Sequence, residues 1–561
     1  MRFRVVSLLL ISLSFCASSF AVAQTLPGPA DVGRIKPDEK LVVPDRGQDQ
    51  RVAIPSIVPS EPVPKGAREF HFVLRKVRIE GMTAFAPQQM ANVYATYIGK
   101  DVSLDVAWKI VAGITNRYRE AGYFLSRAYA PEQEIRGGCI TVRVAEGVIG
   151  KVDLPDEVKS SRVVKKYVDR LLSEKPVTTD EVESFLLRLN DLPGYSFRGV
   201  LSPVDHEAVK DAAANLTLMA ASKEGRGSIT FDNYSSRYMD PNEVTVSYSA
   251  SLLPLQQTTV SGLSNLPGDK LHYGTLNHTM AIAPDTKLEF NGGVIKAYPG
   301  YTLEREDINS QSVSESVALE YQWVRQRQEN LALRLMLEKR DVTSDALNTP
   351  LTRDHIHAVR AGAVYDRSDG WDGYNILSTT LSQGIDGFGS SQKGDRNLSR
   401  AGAAPDFTKA EWSLSRLQAI TGDWSLLAAT SGQWASGVLY SSEQFGYGGQ
   451  SFGRAYDASD ITGDNGISGS LELRYGGIPT WDFMNILPYA FYDIGEVWNG
   501  AVGQPKSESG ASVGAGVRFT TAWQESGNLG LAWPLTRSIT APVYGGSTNG
   551  PRFLLQIGQQ F

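Results

Sequence analysis

The chain has 561 residues, with 55 basic and 61 acidic side chains and a formal net charge of −6. An acidic balance of this kind argues against nucleic acid as a partner, and the length allows two to four domains. The composition combines 54 glycines, 23 tyrosines and 10 tryptophans with a mean hydropathy of −0.22. Such a polar average is typical of β-barrels, in which half of each strand faces water.

The first 23 residues have the features of a secretory signal peptide. Two arginines precede an apolar run over residues 5–13, and small residues lead to a predicted cleavage after Ala23. The apolar run is too short to span a bilayer, and the sequence has no later run of 18 apolar residues. Cys139 would be the single cysteine left, which excludes an internal disulfide. We therefore expect an exported chain that enters a membrane, if it does, as a closed sheet.

A proline-rich segment follows the predicted signal peptide. Residues 24–68 contain eight prolines, which favour an extended linker with little core of its own. Within this range, residues 30–41 are the candidate for a short helix. Gly33 and Pro37 are poor helix residues and weaken that prediction.

Two similar units follow the linker. The first, over residues 69–149, is predicted as a strand at 72–79, two helices and two further strands, with Ser103 as the N-cap of the second helix. The second unit, over residues 150–224, repeats this order. Its second helix opens with a capping box formed by Thr178 and Glu181. The repeat predicts a tandem array of two small α+β (β-α-α-β-β) domains.

From residue 225 to residue 561, alternating segments dominate. In one of them the polar side chains share one face and the apolar ones the other: Ser470, Glu472 and Arg474 against Leu471, Leu473 and Tyr475. Glutamate and arginine on an inner face suit a wet lumen. At about 20 residues per strand and loop, the region predicts a transmembrane β-barrel of about 16 antiparallel strands.

The chain ends in another alternating segment, residues 552–561. Phe553, Leu555, Ile557 and Phe561 share one face. A strand of about ten residues that ends in an aromatic is typical of the closing strand of a membrane barrel, although a soluble edge strand can show the same pattern. We interpret Phe561 as a C-terminal barrel signal.

Short motifs in the tandem units are shared with a known family. They are residues 118–123 (YREAGY), 131–133 (PEQ) and 144–147 (VAEG) in the first unit and 189–194 (LNDLPG) in the second. In this order, and ahead of a predicted barrel, they resemble the POTRA domains of the outer-membrane transporters of two-partner secretion. This is the TpsB family, of the haemolysin and filamentous-haemagglutinin secretion and activation type.

The most specific resemblance lies inside the predicted barrel. Residues 442–449 (SEQFGYGG) and 452–457 (FGRAYD) resemble the end of the eleventh strand and the inward-folded loop of the family, here near residues 448–466. Five strand-like segments follow, as a loop between strands 11 and 12 of 16 requires. Ala455 stands where the family usually has glycine, which puts a tight backbone at this position in doubt.

The resemblance implies a site at the tip of this loop. Its arginine would pair with an aspartate on the inner wall, and in a partly desolvated lumen such a charged fork can hold a long loop in place. The competing interpretation is an exposed loop arginine and an ordinary lumen carboxylate. The predicted site residues are Phe452, Gly453, Arg454, Tyr456, Asp457 and Asp493.

The resemblance also implies a function, the export of a large secreted partner of the TpsA type, such as an adhesin or a haemolysin. The POTRA domains would be the periplasmic receptor, the barrel the pore, and the segment 30–41 a plug. The barrel would lie in the outer membrane of a Gram-negative bacterium, with the barrel-assembly machinery and the lipopolysaccharide membrane as further partners.

Two other functions are compatible with parts of the sequence. A barrel-assembly insertase belongs to the same superfamily, although two POTRA units and a proline-rich leader favour the transporter. An outer-membrane enzyme would need a catalytic constellation, and no nucleophile elbow, phosphate loop or metal signature is present. We therefore expect no catalysis, no cofactor and no metal; His355 and His357, for example, have no third ligand in the sequence pattern.

Overall fold

The computed structural model describes residues 26–35, 63–203, 213–478, 483–536 and 550–561. The predicted signal peptide and most of the predicted linker lie outside these residues. Residues 26–35, which we call the N-terminal segment, form two 3-10 turns, Gly28–Ala30 and Val32–Arg34. The part of the predicted helix that is described is therefore in 3-10 turns, and residues 36–41 lie outside the described part.

The first α+β unit consists of β1 (His71–Val73), β2 (Lys76–Glu80), α1 (Pro87–Tyr94), β3 (Asp101–Ser103), α2 (Asp105–Glu120), β4 (Arg127–Tyr129) and β5 (Cys139–Ala145). The helices pack against a sheet with the order β2-β5-β4, and β1 pairs with β3 in a separate two-stranded sheet. The single strand predicted over 72–79 is divided, because the backbone of Leu74 and Arg75 bonds to Lys100 and Gly138 instead. Ser103 ends β3, so the prediction of Ser103 as N-cap is wrong; Leu104 takes that place.

The second unit consists of β6 (Val148–Asp153), α3 (Asp156–Lys159), α4 (Arg162–Ser173), α5 (Thr179–Asn190), β7 (Tyr195–Pro203) and β8 (Ala213–Ser222). The capping box is present: Thr178 accepts from the backbone N–H of Glu181, whose side chain accepts from the N–H of Thr178. The sheet order is β6-β8-β7, with β6 parallel to β8 as β2 is to β5. The two units therefore share one topology, which confirms the predicted repeat.

In the described residues that follow, the strands are β9 (Arg226–Asp232), β10 (Glu243–Ala250), β11 (Gln256–Asn265), β12 (Leu271–Ala283), β13 (Thr286–Ala297), β14 (Ile308–Arg325), β15 (Glu329–Ala346), β16 (Thr349–Ser368), β17 (Gly373–Gly384), β18 (Thr408–Thr421), β19 (Trp424–Ala435), β20 (Phe445–Tyr447), β21 (Ile461–Gly463), β22 (Asn465–Tyr475), β23 (Met484–Trp498), β24 (Ser507–Thr521), β25 (Glu525–Pro534) and β26 (Arg552–Gln560). Over the described part of the chain, β9–β19 and β22–β26 form a closed antiparallel barrel of sixteen strands. The predicted strand number is thus confirmed.

The barrel closes where β26 pairs with β9. The seam is extended by reciprocal backbone bonds between Gly227 and Phe561, of 2.7 and 3.0 Å. The ring of Phe561 lies over Gly227, where a β-carbon would come within 2.2 Å of it. The side chain of Asn233 bonds to the backbone of Phe553 and Leu555 at the other end of the seam.

The second α+β unit docks on one end of the barrel, which we call the proximal end; the other is the distal end. Leu255, from the turn between β10 and β11, is buried in the core of that unit. Asp285, in the turn between β12 and β13, accepts hydrogen bonds from Tyr167, Arg170 and Arg188. Arg325 bonds to both carboxylate oxygens of Asp191 at 2.6 and 2.9 Å. None of the helices in the described ranges is long and apolar enough to cross a membrane.

The barrel strands alternate between an apolar outer face and a polar inner face. On β15, Leu335 and Leu337 are more than half exposed on the outer face, whereas the side chain of Glu338 on the inner face is only 8% exposed. The sequence predicted charged side chains on this inner face. The long connection between β19 and β22 packs against it.

Candidate functional site: the inward loop

The connection between the eleventh and twelfth barrel strands, residues 436–464, folds back into the lumen. We call it the inward loop. Its strands β20 and β21 pair with each other and with no other strand in the described part of the chain. The tip is buried: Arg454, Ala455, Tyr456 and Asp457 each expose 7% or less of their surface. The loop is therefore held by side chains and not by the barrel ladder.

Arg454 is the centre of the tip and contacts the inner wall. Its Nε and Nη2 donate to the two carboxylate oxygens of Asp493 at 3.0 and 2.8 Å, and its backbone N–H donates to the same group. Its guanidinium also lies 3.5 Å from the ring centroid of Phe491. The two residues that the resemblance implied as partners are thus brought together, with the planar two-pronged geometry that only arginine provides.

A second carboxylate shares this arginine. Glu472, on β22, accepts from Nη1 of Arg454 at 2.6 Å. It also accepts from Arg518 at 2.6 and 3.0 Å and from Arg474 at 2.8 Å. Sequence reasoning placed Glu472 on the inner face but gave it no part in the site. Because these charged side chains are buried, each depends on its neighbours for compensation, and removing one leaves another charge unpaired.

The remaining predicted residues tie the tip to other parts of the wall. Asp457 accepts from Nε of Arg237 at 2.5 Å, in the first distal loop. The hydroxyl of Tyr456 donates to the carbonyl of Ala511 at 2.8 Å. Phe452 packs at the edge of an apolar cluster that includes Tyr456. At Gly453, with φ +70°, a β-carbon would come within 2.7 Å of the Tyr447 ring, so this position requires glycine.

Ala455 is fully buried among the aromatic side chains of the tip. The backbone φ of Ala455 is not positive. The position is therefore open to an L-residue with a methyl group, and the departure from the family glycine does not distort the loop.

The inward loop also rests on glycines of the wall. The ring of Tyr447 lies over Gly495 and Gly510, where a β-carbon would meet it at 2.3 and 2.9 Å. The ring of Phe445 covers Gly466 in the same way, at 2.1 Å. These glycines leave slots for the aromatic side chains, a pairing that the alternation of the sequence did not reveal.

The start of the loop has its own contact with the wall, which the sequence reasoning missed. Glu443 exposes 1% of its surface and accepts from Arg360 at 2.8 and 3.2 Å. Lys409 lies 2.9 Å from the same carboxylate. The sequence gives no signal for these pairs, because the partners lie on β16 and β18 and the strand register alone brings them together.

The N-terminal segment lies in the lumen as well, against the distal part of the wall and the inward loop. Val32 is fully buried among apolar side chains of the distal end: Met239, Leu263, Leu271, Ile295, Ala297 and Val342. Arg34 donates to the carbonyl of Ser441 at 2.6 Å, and Ser236 donates to the carbonyl of Pro29 at 2.6 Å. Two pieces of the chain that are not barrel strands therefore occupy the lumen together.

A sixteen-stranded barrel with an internal loop, two tandem α+β units at one end and a segment across the lumen defines the class of outer-membrane POTRA-barrel proteins. The sequence profile of the haemolysin secretion/activation proteins ShlB/FhaC/HecB matches residues 296–519, and that of the ShlB-type POTRA domain matches residues 72–147. The chain belongs to this family of two-partner secretion transporters.

Relatives and solved structures agree with this assignment. The chain is 23% identical over 477 residues to the heme/hemopexin transporter protein HuxB of Haemophilus influenzae, with 80% of this chain and 81% of the relative covered. It is 21% identical to the outer membrane transporter CdiB of Dickeya dadantii, with 83% of each covered. CdiB from Escherichia coli has a similar fold, with a TM-score of 0.68, 18% identity and coverage of 91% of this chain and 94% of that one.

The protein is thus an outer-membrane transporter that exports a secreted partner protein, with its POTRA domains in the periplasm. The proximal end of the barrel is the periplasmic end, and the inward loop enters from the cell-surface side.

Proposed function

We propose that the POTRA domains receive the unfolded partner and that the barrel lumen is its route, closed at rest by the inward loop and the N-terminal segment. The observation that carries this is how the lumen is filled. Both segments are attached to the wall by side chains, and neither pairs with a barrel strand. Either can therefore move without breaking the ladder that keeps the barrel closed.

Receptor function is proposed for the sheet edges of the two POTRA domains, whose boundaries we take as residues 69–149 and 150–224. In the described chain, β4 and β7 each pair on one side only. An open edge offers backbone groups to an extended polypeptide and makes little demand on its sequence. The contacts of Asp285 and Arg325 with the second POTRA domain would keep that edge at the mouth of the barrel.

Holding the loop is the role proposed for Arg454, with Asp493 and Glu472 as its partners on the wall. The side chains of the site bind and orient; we assign no catalysis, cofactor or metal to them. The periplasm supplies no nucleotide, so folding of the partner outside the cell would provide the driving force for export.

Insertion into the membrane is proposed to follow the usual route of barrel proteins. The apolar outer face, with side chains such as Trp323 and Leu337 more than half exposed, suits the acyl layer beneath lipopolysaccharide. The closing strand that ends at Phe561 would be the segment that the barrel-assembly machinery recognises.

Deleting the gene and comparing both the secreted proteins and the outer-membrane barrels tests the proposal. We expect the loss of one large exoprotein, which identifies the partner, with the other barrels unchanged. A general loss of barrels would instead assign the chain as an insertase.

A deletion of residues 70–222 separates receptor from pore. We expect a barrel that is still heat-modifiable and still inserted, with secretion of the identified partner abolished. Retained secretion would contradict the receptor role. Removing residues 24–41 should raise the conductance of the pore in planar bilayers while export continues; an unchanged conductance would mean that the N-terminal segment does not close the lumen.

A further inference from the structure

The 3-10 turn at the start of the inward loop, Ser441–Glu443, is in contact with two partners on opposite sides. On one side Arg34 of the N-terminal segment donates to the carbonyl of Ser441, and Gly33 packs on Ser442, where a β-carbon would come within 2.8 Å of that side chain. On the other side Glu443 bonds to Arg360. One turn of three residues therefore touches both the segment that closes the lumen and the wall.

The contact with the wall is specific. Glu443 is buried and receives two cations, Arg360 and Lys409, and Gln433 donates to its backbone carbonyl at 3.0 Å. These partners lie on β16, β18 and β19. The tip of the loop, by contrast, is held by β22 and β23 through Arg454 and by β24 through Tyr456, so the start and the tip of the loop contact different strands.

The N-terminal segment also touches the far end of the inward loop. Arg34 lies within 3.4 Å of the Ser459 hydroxyl, and a β-carbon at Gly28 would come within 2.4 Å of the Ser459 carbonyl. The segment thus lies between the start and the end of the loop. Any movement of the turn Ser441–Glu443 changes the surface on which the segment rests.

We propose that Glu443 is a positioning residue that couples the two closures of the lumen. While its carboxylate is paired, the turn holds Arg34 and the N-terminal segment stays in place. When that pairing is broken, the turn and the segment leave the wall together. The inference rests on the proposed function, since it concerns how the same lumen opens.

Glu443 is also a position that can be changed without stranding its partners. Arg360 keeps a bond to Glu338 at 2.6 Å, and Lys409 keeps Glu411 at 3.2 Å. Glu443→Gln should therefore leave both cations paired and the barrel able to insert. Glu338→Gln is the matched control, because it removes a carboxylate of the same cluster whose hydrogen bonds go to Arg340 and Arg360 on the wall.

The probe is a cysteine at Val32, which is fully buried and can react only if the segment leaves its site. The experiment uses the full chain in outer-membrane vesicles, with Cys139→Ser as background and Val32→Cys as the reporter, treated with a maleimide reagent. We expect Glu443→Gln to raise the labelling of the cysteine several-fold. Arg34→Ala should have a comparable effect, and the double variant should exceed neither by much, because both changes break one coupling.

Two results would overturn the inference. Labelling that stays low in Glu443→Gln would mean that Glu443 holds only the loop. Equal labelling in Glu443→Gln and Glu338→Gln would mean that the cluster stabilises the barrel in general. Cysteine labelling does not depend on export, so it is informative even if the partner takes another route. Glu443→Asp keeps the carboxylate and should restore part of the protection of the cysteine against the maleimide.

Discussion

The core of the second POTRA domain and the inner wall beneath the inward loop are both buried, but they consist of opposite kinds of side chain. The domain core is made of aliphatic and aromatic residues such as Val164, Phe185 and Leu216. The wall contributes Asp493 and Glu472, which are buried against Arg454 of the loop and joined to it by hydrogen bonds and ion pairs. Apolar packing tolerates small changes of position, whereas a buried charge needs its partner at bonding distance.

This difference suits the two tasks. As the proposed receptor, the POTRA domains would have to remain folded while a partner binds at their edges, and a continuous apolar core does that. As a proposed closure of the lumen, the inward loop would have to be held firmly and yet be separable from the wall. A small set of charged contacts gives a definite bound position with few atoms to release, and substitutions should therefore have their largest effects there.

The largest effect is expected from Arg454→Ala or Asp493→Ala. Breaking a buried pair costs about 3–5 kcal/mol, which is enough to detach the loop tip. Secretion of the partner should fall sharply while the barrel still inserts, measured by secreted protein and by heat-modifiable migration. Arg454→Lys should rescue poorly, because lysine keeps the charge and loses the two-pronged geometry.

The same site provides its own controls. Ala455→Gly should be tolerated, because it restores the family residue. The charge swap of Arg454→Asp with Asp493→Arg should fail, since it places a carboxylate where Glu472 now accepts a bond at 2.6 Å. Normal secretion by Arg454→Ala would show that the loop tip has no role in export.

How much of this site the sequence could predict depends on the range of the contact. The short motif around Arg454 is visible in the sequence, and the resemblance to the family implied Asp493 as its partner, so their meeting could be expected. The partners of Glu443 could not, because Arg360 lies 83 residues away and the register of several strands decides which side chains meet. In the first POTRA domain, tertiary bonds divided a predicted strand at Leu74 and Arg75.

The next effect concerns shape and not charge. Gly495→Ala adds a methyl group where the Tyr447 ring lies 2.3 Å away, so the hairpin of the inward loop must shift. Such overpacking costs about 1–3 kcal/mol. We expect reduced secretion and a raised pore conductance.

Gly469→Ala is the control for this substitution. It lies on the neighbouring strand, paired with Ile494, and its β-carbon would meet other atoms only at 3.8 Å or more. Equal secretion and equal conductance in the two variants would argue against a specific contact between the Tyr447 ring and Gly495.

A smaller effect is expected at the joint between the two regions. Asp285→Asn keeps a residue that tolerates the positive φ of 58° but removes the charge that Arg170 and Arg188 share. The second POTRA domain should remain folded and become looser on the barrel, seen as faster amide exchange around residue 285 with partly reduced export. Asp307→Asn, another positive-φ turn position at the distal end, should change neither.

The smallest effect is expected within the first POTRA domain, at Glu146. Its carboxylate accepts from the backbone N–H of Thr83 at 2.7 Å and of Ala84 at 2.8 Å, and from the hydroxyl of Tyr118 at 2.7 Å. Burial alone would raise the pKa of Glu146, but these hydrogen bonds outweigh it and hold the pKa below its ordinary value of 4.5.

Because the pKa of Glu146 is lowered on folding, its contribution is fully present above pH 4.5 and is lost as the pH falls through the lowered value. Glu146→Gln should therefore cost stability at neutral pH, by less than the about 1.5–3 kcal/mol of a buried hydrogen bond to a charged group because solvent reaches this carboxylate, and by still less in acid. Amide protection of Thr83 and Ala84 in the full chain measures this. Glu120→Gln, an exposed carboxylate 3.5 Å from Arg117, is the control and should leave that protection unchanged. Export should be nearly normal in Glu146→Gln, because the core of the domain is apolar. If the amide protection in Glu146→Gln equals that of the native chain at pH 7, the loop before α1 is held by its apolar contacts and the carboxylate of Glu146 adds nothing.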